Sequence, residues 1–307
     1  MPRNLFPLPP TPLVPVQLEP SQAPIWCKLE YLNPSGSTKD RIARYILEKA
    51  RRQGRIQPGD LVAEASSGST SIAMAAACAQ LGLRFIAVMP EGVSNERGMM
   101  IRGYGGEVRF SPKADGIRGA INEVERLSRE CGAFMPQQFS NPDNAEAHRF
   151  GTARELLDQL PDGSVDAVVS GVGTGGTLVG LYRGLCEAGC AVVPVHARPV
   201  NLVSTPDVEC CSFSSRIPGV ADRISKIFND AELPGLVTID VNDEDAICTT
   251  RQLIQLGFPV GPSSGLNFVA AQIYQSRHPE KNLRVCTVFA DRMERYFTTE
   301  LFRPYSS

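Results

Sequence analysis

The sequence predicts an α/β protein built on mostly parallel sheet, and three observations predict it. Short apolar runs alternate with helix-patterned segments along most of the 307 residues. Several of those runs are continuously apolar instead of alternating, as suits strands covered on both faces. Gly54, Gly82 and Gly257 each follow a helical segment, where a left-handed cap residue ends a helix.

In chain order, strands are expected at 25–29, 61–64, 84–89, 107–110, 166–170, 191–195 and 284–289. Helices are expected at 40–53, 69–81, 94–103, 114–131, 143–159, 177–188, 243–256 and 266–276. Residues 69–81 (STSIAMAAACAQL) are apolar nearly all round and read as a central buried helix. The stretch 196–235, rich in Pro, Ser and isolated charges, is expected to form surface loops and part of an active-site lid.

Composition excludes several classes of function. Hydrophobic residues at 42% and charged residues at 21% describe an ordinary globular chain. With 31 basic and 33 acidic side chains the net charge is −2, so no overall field favours nucleic acid or an anionic membrane. No uncharged apolar stretch approaches the roughly 20 residues that cross a bilayer. The proline-rich start does not read as a signal peptide, and a cytoplasmic protein with small-molecule partners is expected. The nine cysteines are scattered without a Cys-x-x-Cys pair, and no histidine stands near them in ligand spacing, so reduced core thiols and no metal site are expected. The adjacent Cys210 and Cys211 leave a redox role open.

Three loops carry candidate chemistry, each between a strand and a helix. In the first, Asn33, Pro34, Ser35 and Gly36 cannot continue a helix, and a helix starts near Ser37, which places Lys39 in its first turn. The positive end of the helix dipole and desolvation both lower a lysine's proton affinity there, as an amine that condenses with a carbonyl requires. Alone, a lysine in that place is more often a solvated side chain. In the second loop, Gly171, Gly173, Gly175 and Gly176 let backbone N–H groups converge on one anion, with Thr174 and Thr177 adding hydroxyls. The pattern is close to a dinucleotide fingerprint. It lies mid-chain, though, and shows no acidic ribose partner after the next strand, so a single-phosphate cup is the better reading. The third loop, Glu64 to Thr70, forms a second anion cradle suited to a carboxylate, from the hydroxyls of Ser66, Ser67, Ser69 and Thr70, the turn at Gly68 and several free N–H groups; a single serine there would be only a helix N-cap.

Two anion cradles and a lysine at a helix start describe a site for a phosphate-bearing cofactor and an amino acid. On these motifs the chain resembles the cysteine synthase (O-acetylserine sulfhydrylase) family of fold-type II pyridoxal-phosphate (PLP) enzymes. The resemblance runs from Thr11 to Phe302. It implies a tryptophan synthase β-like fold, with two doubly wound parallel-sheet domains and the active site in the cleft between them. The larger, phosphate-binding domain would comprise 1–34 and 146–307, and the smaller, mobile, carboxylate-binding domain 35–145. It implies that Lys39 holds PLP, that Gly173, Thr174, Gly175, Gly176 and Thr177 bind its phosphate, and that Ser69 stands where the family's asparagine touches the ring oxygen. Ser263, in the run Gly-Pro-Ser-Ser-Gly at 261–265, would face the pyridine nitrogen. A hydroxyl there cannot protonate the ring as a carboxylate would, which favours loss of a β-leaving group. Ser66, Ser67, Gly68, Thr70 and Gln138 would hold the substrate. The run 289–297 is similar to the family's closing Asp-Ser-Gly-Glu-Arg-Tyr.

The activity so implied is β-replacement on an activated serine by sulfide or another nucleophile, through an α-aminoacrylate, in a homodimer. Alternatives on the same residues are β-elimination (cysteine desulfhydrase, serine or threonine dehydratase) and diaminopropionate or β-cyanoalanine synthesis. Cystathionine synthesis is less expected, because no regulatory extension or haem segment is seen. From other classes come a catalytically inactive partner protein and an NAD-binding dehydrogenase. The chain departs from the family pattern at Ser66 (usually Thr), Ser69 (Asn) and Ser71 (Gly). The run 215–220 resembles the Ser-Ile-Pro-Gly loop of the B-type isozyme, with Arg216 and Arg223 placed to steer an anionic donor.

Overall fold

The computed structural model describes residues 4–200, 216–219, 224–279 and 283–305. The chain opens with β1 (Leu13–Val16) and β2 (Ile25–Lys28), then α1 (Lys39–Arg52). The next strands and helices alternate: β3 (Leu61–Ala65), α2 (Ser69–Leu81), β4 (Arg84–Pro90), α3 (Asn95–Gly103), β5 (Glu107–Ser111) and α4 (Gly116–Cys131). After α5 (Asp143–Ala147) and α6 (Ala153–Gln159) come β6 (Ala167–Gly171), α7 (Gly176–Glu187), β7 (Val193–Val200), β8 (Val237–Asn242), α8 (Asp243–Gln255), α9 (Pro262–Ser276) and β9 (Val285–Val288).

These strands form two sheets. One has six strands in the order β1-β2-β9-β6-β7-β8, and the other has three in the order β3-β4-β5. Every pairing is parallel except β1 with β2. Each sheet has its own apolar core. Ile25, Val169, Val195, Ile239, Phe268 and Phe289 pack on the larger sheet, and Ile46, Val62, Ile72, Met74 and Phe85 on the smaller. α2 is buried on nearly every side, as its unbroken run of small apolar residues requires.

Two strands escape the sequence pattern. β1 holds Pro15, which cannot donate to a ladder, and so it sits at the sheet edge. β8 closes the opposite edge and holds β7 in register through Asn242, so residues 196–200 belong to a strand and not to a loop. α9 starts at Pro262, four residues before the expected start. Proline at the first helical position loses no bond and arrives with its φ already helical. The expected helix 143–159 is interrupted by a π-helical turn, His148–Thr152. It lies so close to α7 that a Cβ on Gly180 would come 2.3 Å from the carbonyl oxygen of Ala145. Of the cysteines, Cys27, Cys78 and Cys286 are core residues; Cys131, Cys186 and Cys248 are exposed, and Cys210 and Cys211 lie outside the described residues. Among the described residues no helix is long and apolar enough to cross a membrane.

Candidate active site

Parallel strands end at Ala65, Pro90, Gly171 and Val288, and a single cavity lies at those carboxyl ends. Lys39, Ser66, Ser67, Gly68, Ser69, Thr70, Gln138, Gly173, Thr174, Gly175, Thr177 and Ser263 all line it. Gly176 stands just behind, against Asn144. The residues that the sequence singles out in four separate loops therefore share one space.

Lys39 begins α1, and the residues around it explain why the chain turns there. The Asp40 carboxylate accepts from the Ser35 N–H at 3.1 Å, the Ser35 hydroxyl at 2.7 Å and the Ser37 N–H at 3.3 Å, which folds the loop 35–37 back on the helix start. Gly36 supplies the left-handed φ of 84° that the turn needs. Arg41 ties the same turn to the buried Glu30 at 2.6 Å. Arg295 closes it from outside, donating to the carbonyls of Gly36 at 3.0 Å and Ser35 at 2.5 Å. Lys39 itself makes no salt bridge among the described residues, and part of its side chain is open to the cavity while protein surrounds the rest. Burial lowers its proton affinity; the charges of Asp291 and Glu30 oppose that, and Arg295 adds to it.

The serine loop is bonded largely to itself. The Ser66 hydroxyl accepts from the N–H groups of Gly68 and Ser71, both at 3.1 Å, and pairs with the Ser71 hydroxyl at 2.7 Å. Serines at 66 and 71 thus act as a pair. Thr70 donates to the Gln138 side-chain oxygen at 2.6 Å, and the Gln138 amide donates to the Ala65 carbonyl at 2.6 Å. Ser69 donates to Asp291 at 3.0 Å. The sequence offers this loop four hydroxyls and several free N–H groups for a carboxylate. Three of the hydroxyls, of Ser66, Ser69 and Thr70, serve the protein, which leaves the Ser67 hydroxyl and the N–H groups of Ser69 and Thr70 at the helix start to meet an anion. Behind the loop lies Glu64, a fully enclosed carboxyl that accepts from the N–H groups of Ala65 at 2.9 Å and Gln138 at 3.2 Å. Burial pushes it up to about 8, against the pull of those bonds and of the Gln137 N–H. Gln137 holds a φ of 59°, unusual for a residue with a side chain.

The glycine loop is held by shape. A Cβ on Gly173 would lie 2.1 Å from the Gly219 oxygen, one on Gly175 2.5 Å from Phe228, and one on Gly176 1.9 Å from the Asn144 amide oxygen. Asn144 also donates to the Thr174 hydroxyl at 2.9 Å. Thr177 stands 3.3 Å from the ring of His148, which burial keeps neutral by lowering its pKa to about 3. The bare backbone and the start of α7 leave a small N–H-lined cup, the donor set a phosphate takes.

Sequence reasoning missed Asp291, Arg97, Asn144, Asn267 and Glu64. Arg97 is buried, donates to the Ser67 carbonyl at 2.8 Å and lies over the Tyr296 ring at 5.3 Å. Asn267 accepts from the Gly171 N–H at 2.6 Å and fixes the end of β6. Asp291, in the run 289–297, and Glu64, at the start of the serine loop, lie inside motifs of the sequence, and nothing there assigns either a partner. Arg216 is not aimed at the cavity: it pairs with Glu244 at 2.7 Å and Glu300 at 2.5 Å. Arg223, the other arginine expected to steer a donor, and Ser215 and Val220 at the ends of the same run lie outside the described residues.

Comparison with known proteins agrees with this geometry. The family described as pyridoxal-phosphate dependent enzyme matches residues 6–291. The chain is 39% identical over 282 residues to a cysteine synthase B from Campylobacter jejuni subsp. jejuni, covering 91% of each protein. It is 35% identical over 305 residues to a cysteine synthase from Staphylococcus aureus, covering 95% of this chain and 94% of that one. Among solved structures, O-ureido-L-serine synthase is similar with a TM-score of 0.85 at 31% identity, covering 97% of this chain and 93% of the other. An O-acetylserine dependent cystathionine beta-synthase from Helicobacter pylori is similar with a TM-score of 0.84 at 32% identity, covering 95% of each.

Proposed function

Because the chain belongs to the pyridoxal-phosphate dependent enzyme family, we propose that it replaces the β-substituent of an activated serine, such as O-acetylserine, with sulfide or another small nucleophile to give cysteine or an analogue. The observation that carries this reading is that one amine, Lys39, shares a cavity with two helix N-termini of different build. PLP fits these residues. Gly173, Thr174, Gly175, Gly176 and Thr177 would hold its phosphate in a cup that no Cβ can enter, Lys39 would carry its aldehyde carbon, and Ser263, in the first turn of α9, would meet its ring nitrogen.

Bound PLP supplies the electron sink that makes an amino acid's α-hydrogen acidic and its β-substituent labile. The chain supplies the rest. The α2 start and the Thr70–Gln138 pair orient the substrate carboxylate. Lys39 takes the α-proton at Nζ. Burial lowers its proton affinity, which favours the neutral amine that a base must be. The enclosing walls keep bulk water from competing with the incoming nucleophile.

The division into 1–34 with 146–307 and 35–145 belongs to the same proposal, and separate sheets with separate cores support it. We also propose a homodimeric state and a cytoplasmic location, by likeness to cysteine synthases. Cystathionine synthesis from O-acetylserine is a second reading. The Helicobacter pylori enzyme is covered to 95% by this chain, so a short chain does not disfavour that activity.

Purified protein should absorb in the visible, change spectrum with O-acetylserine, and give a product whose mass identifies the nucleophile when sulfide, thiosulfate, cyanide or homocysteine is added. Lys39→Ala should lower turnover by about 100- to 10,000-fold. A colourless protein that gains no visible band with added PLP, or a Lys39→Ala protein with full turnover, overturns the reading.

A further inference from the structure

One acid in the cavity has no part in the scheme above. Asp291 follows β9, and its backbone lies in antiparallel register with Ser37, two residues before Lys39. The neighbouring bonds, Thr38 N–H to the Ala290 carbonyl at 2.8 Å and Arg292 N–H to the Gly36 carbonyl at 3.1 Å, lock the two segments together. One carboxylate oxygen of Asp291 accepts from the Ser69 hydroxyl at 3.0 Å and the Tyr296 hydroxyl at 2.8 Å. The other is buried and has no hydrogen-bond partner among the described residues. A Cβ on Gly261 would come 2.3 Å from that oxygen, so only a glycine leaves it room. Leaving such an atom unpaired is costly, and in a cavity-lining residue it points to a group that is met during function.

The charge of Asp291 raises the proton affinity of Lys39, which lines the same cavity. When Lys39 takes the α-proton, a C–H bond breaks, its electron pair stays with the substrate, an N–H bond forms, and a positive charge appears at Nζ. The charged or titratable groups around it are Asp291, Arg295 and Tyr296 from the closing segment, Glu30 from the turn after β2, and the neutral His148. Arg97, Glu91 and Lys113 also line the cavity. Glu30 is already bonded to Arg41 and Glu91 is exposed to solvent, which leaves Asp291 as the buried carboxylate with an oxygen unpaired among the described residues.

We infer that Asp291 is a positioning residue of the reaction, holding Ser69 as a hydrogen-bond acceptor toward the cavity and serving as counter-charge to the proton that Lys39 carries. This rests on the role proposed above for Lys39. It also explains why serine suffices at 69: its hydrogen is committed to Asp291, so it anchors the loop and does not donate into the cavity.

The test titrates the visible band of PLP-loaded protein with pH, alongside kcat and KM for O-acetylserine. Asp291→Asn should lower the pH at which the bound chromophore loses its proton by about one unit or more. It should cut kcat about tenfold or more with a smaller change in KM. Ser69→Ala keeps the charge but removes a bond to the same oxygen, so it should shift the titration upward, opposite in sign to Asp291→Asn. Tyr296→Phe removes a bond that offsets the carboxylate's charge and should raise the titration, which keeps the inference testable if Asp291→Asn does not fold. A wild-type titration in Asp291→Asn, or no shift in Tyr296→Phe, overturns the inference. A wild-type protein that takes up no PLP overturns the proposed function instead.

Discussion

Two helix N-termini line the same cavity, α2 after the serine loop and α7 after the glycine loop, and they present N–H groups to it by opposite means. At α2 every turn of the loop is held by a side chain: Ser66 caps it, Thr70 binds Gln138, and Ser69 reaches Asp291. At α7 side chains are absent where they would matter, and neighbouring backbone and Asn144 occupy the space that a Cβ would need. The first design can be retuned one hydroxyl at a time, as the serines at 66, 69 and 71 show. The second tolerates no added atom.

The sharpest way to break that contrast is to add one methyl group to the rigid loop. Gly176→Ala would drive a Cβ to 1.9 Å from Asn144. At about 1–3 kcal/mol or more for such overpacking, PLP retention should weaken by about ten- to a hundredfold or more, read by titrating apoprotein with PLP. Unchanged affinity would mean that the loop yields as readily as the serine loop. Gln138→Ala probes the other side. It strands the Thr70 hydroxyl and the Ala65 carbonyl, at about 1–3 kcal/mol. The effect should appear as a raised KM for the amino acid, with PLP affinity nearly intact. If PLP affinity falls equally, the two cradles are not separate.

A subtler prediction concerns Glu64, which braces the serine loop. Its carboxyl, pushed up to about 8 by burial, stays protonated in the folded protein while the unfolded chain ionises near 4.3. Between those values the folded state binds the extra proton. Its contribution to stability therefore falls as pH rises from about 4.3 to 8 and is flat above. Glu64→Gln removes that dependence, so the wild type should lose melting temperature relative to the variant from pH 5 to 8. A constant difference would show an ionised Glu64. The smallest effect is expected at Arg216, which pairs at the protein surface with Glu244 and Glu300. Arg216→Ala should cost under about 1 kcal/mol and leave the ratio of rates with sulfide and thiosulfate unchanged.

Much of the site is legible in the sequence, because each loop is a local device. A strand ending in Gly-Val-Gly-Thr-Gly-Gly-Thr can do little besides present its N–H groups, and Lys39 follows a turn that no helix could pass through. The start of α9 was harder to read, since Gly-Pro-Ser-Ser-Gly has the composition of a loop and only packing on β9 and β6 commits it to helix. β8 was missed for a similar reason. Its six residues bury alternate side chains at a sheet edge, and their strand character depends on β7 being there to pair with.

The sequence by itself determined the alternation of strands and helices, the two loops at helix starts and the place of the lysine, because periodicity, glycine placement and helix starts are properties of neighbouring residues. Tertiary structure alone decided that Asp291 stands beside Lys39, that Ser69 spends its hydroxyl on that carboxylate, and that Arg216 turns away from the cavity. Each depends on residues far apart in the chain meeting when β9 slots between β2 and β6 and the closing segment folds over the start of α1, and no local pattern records such a meeting.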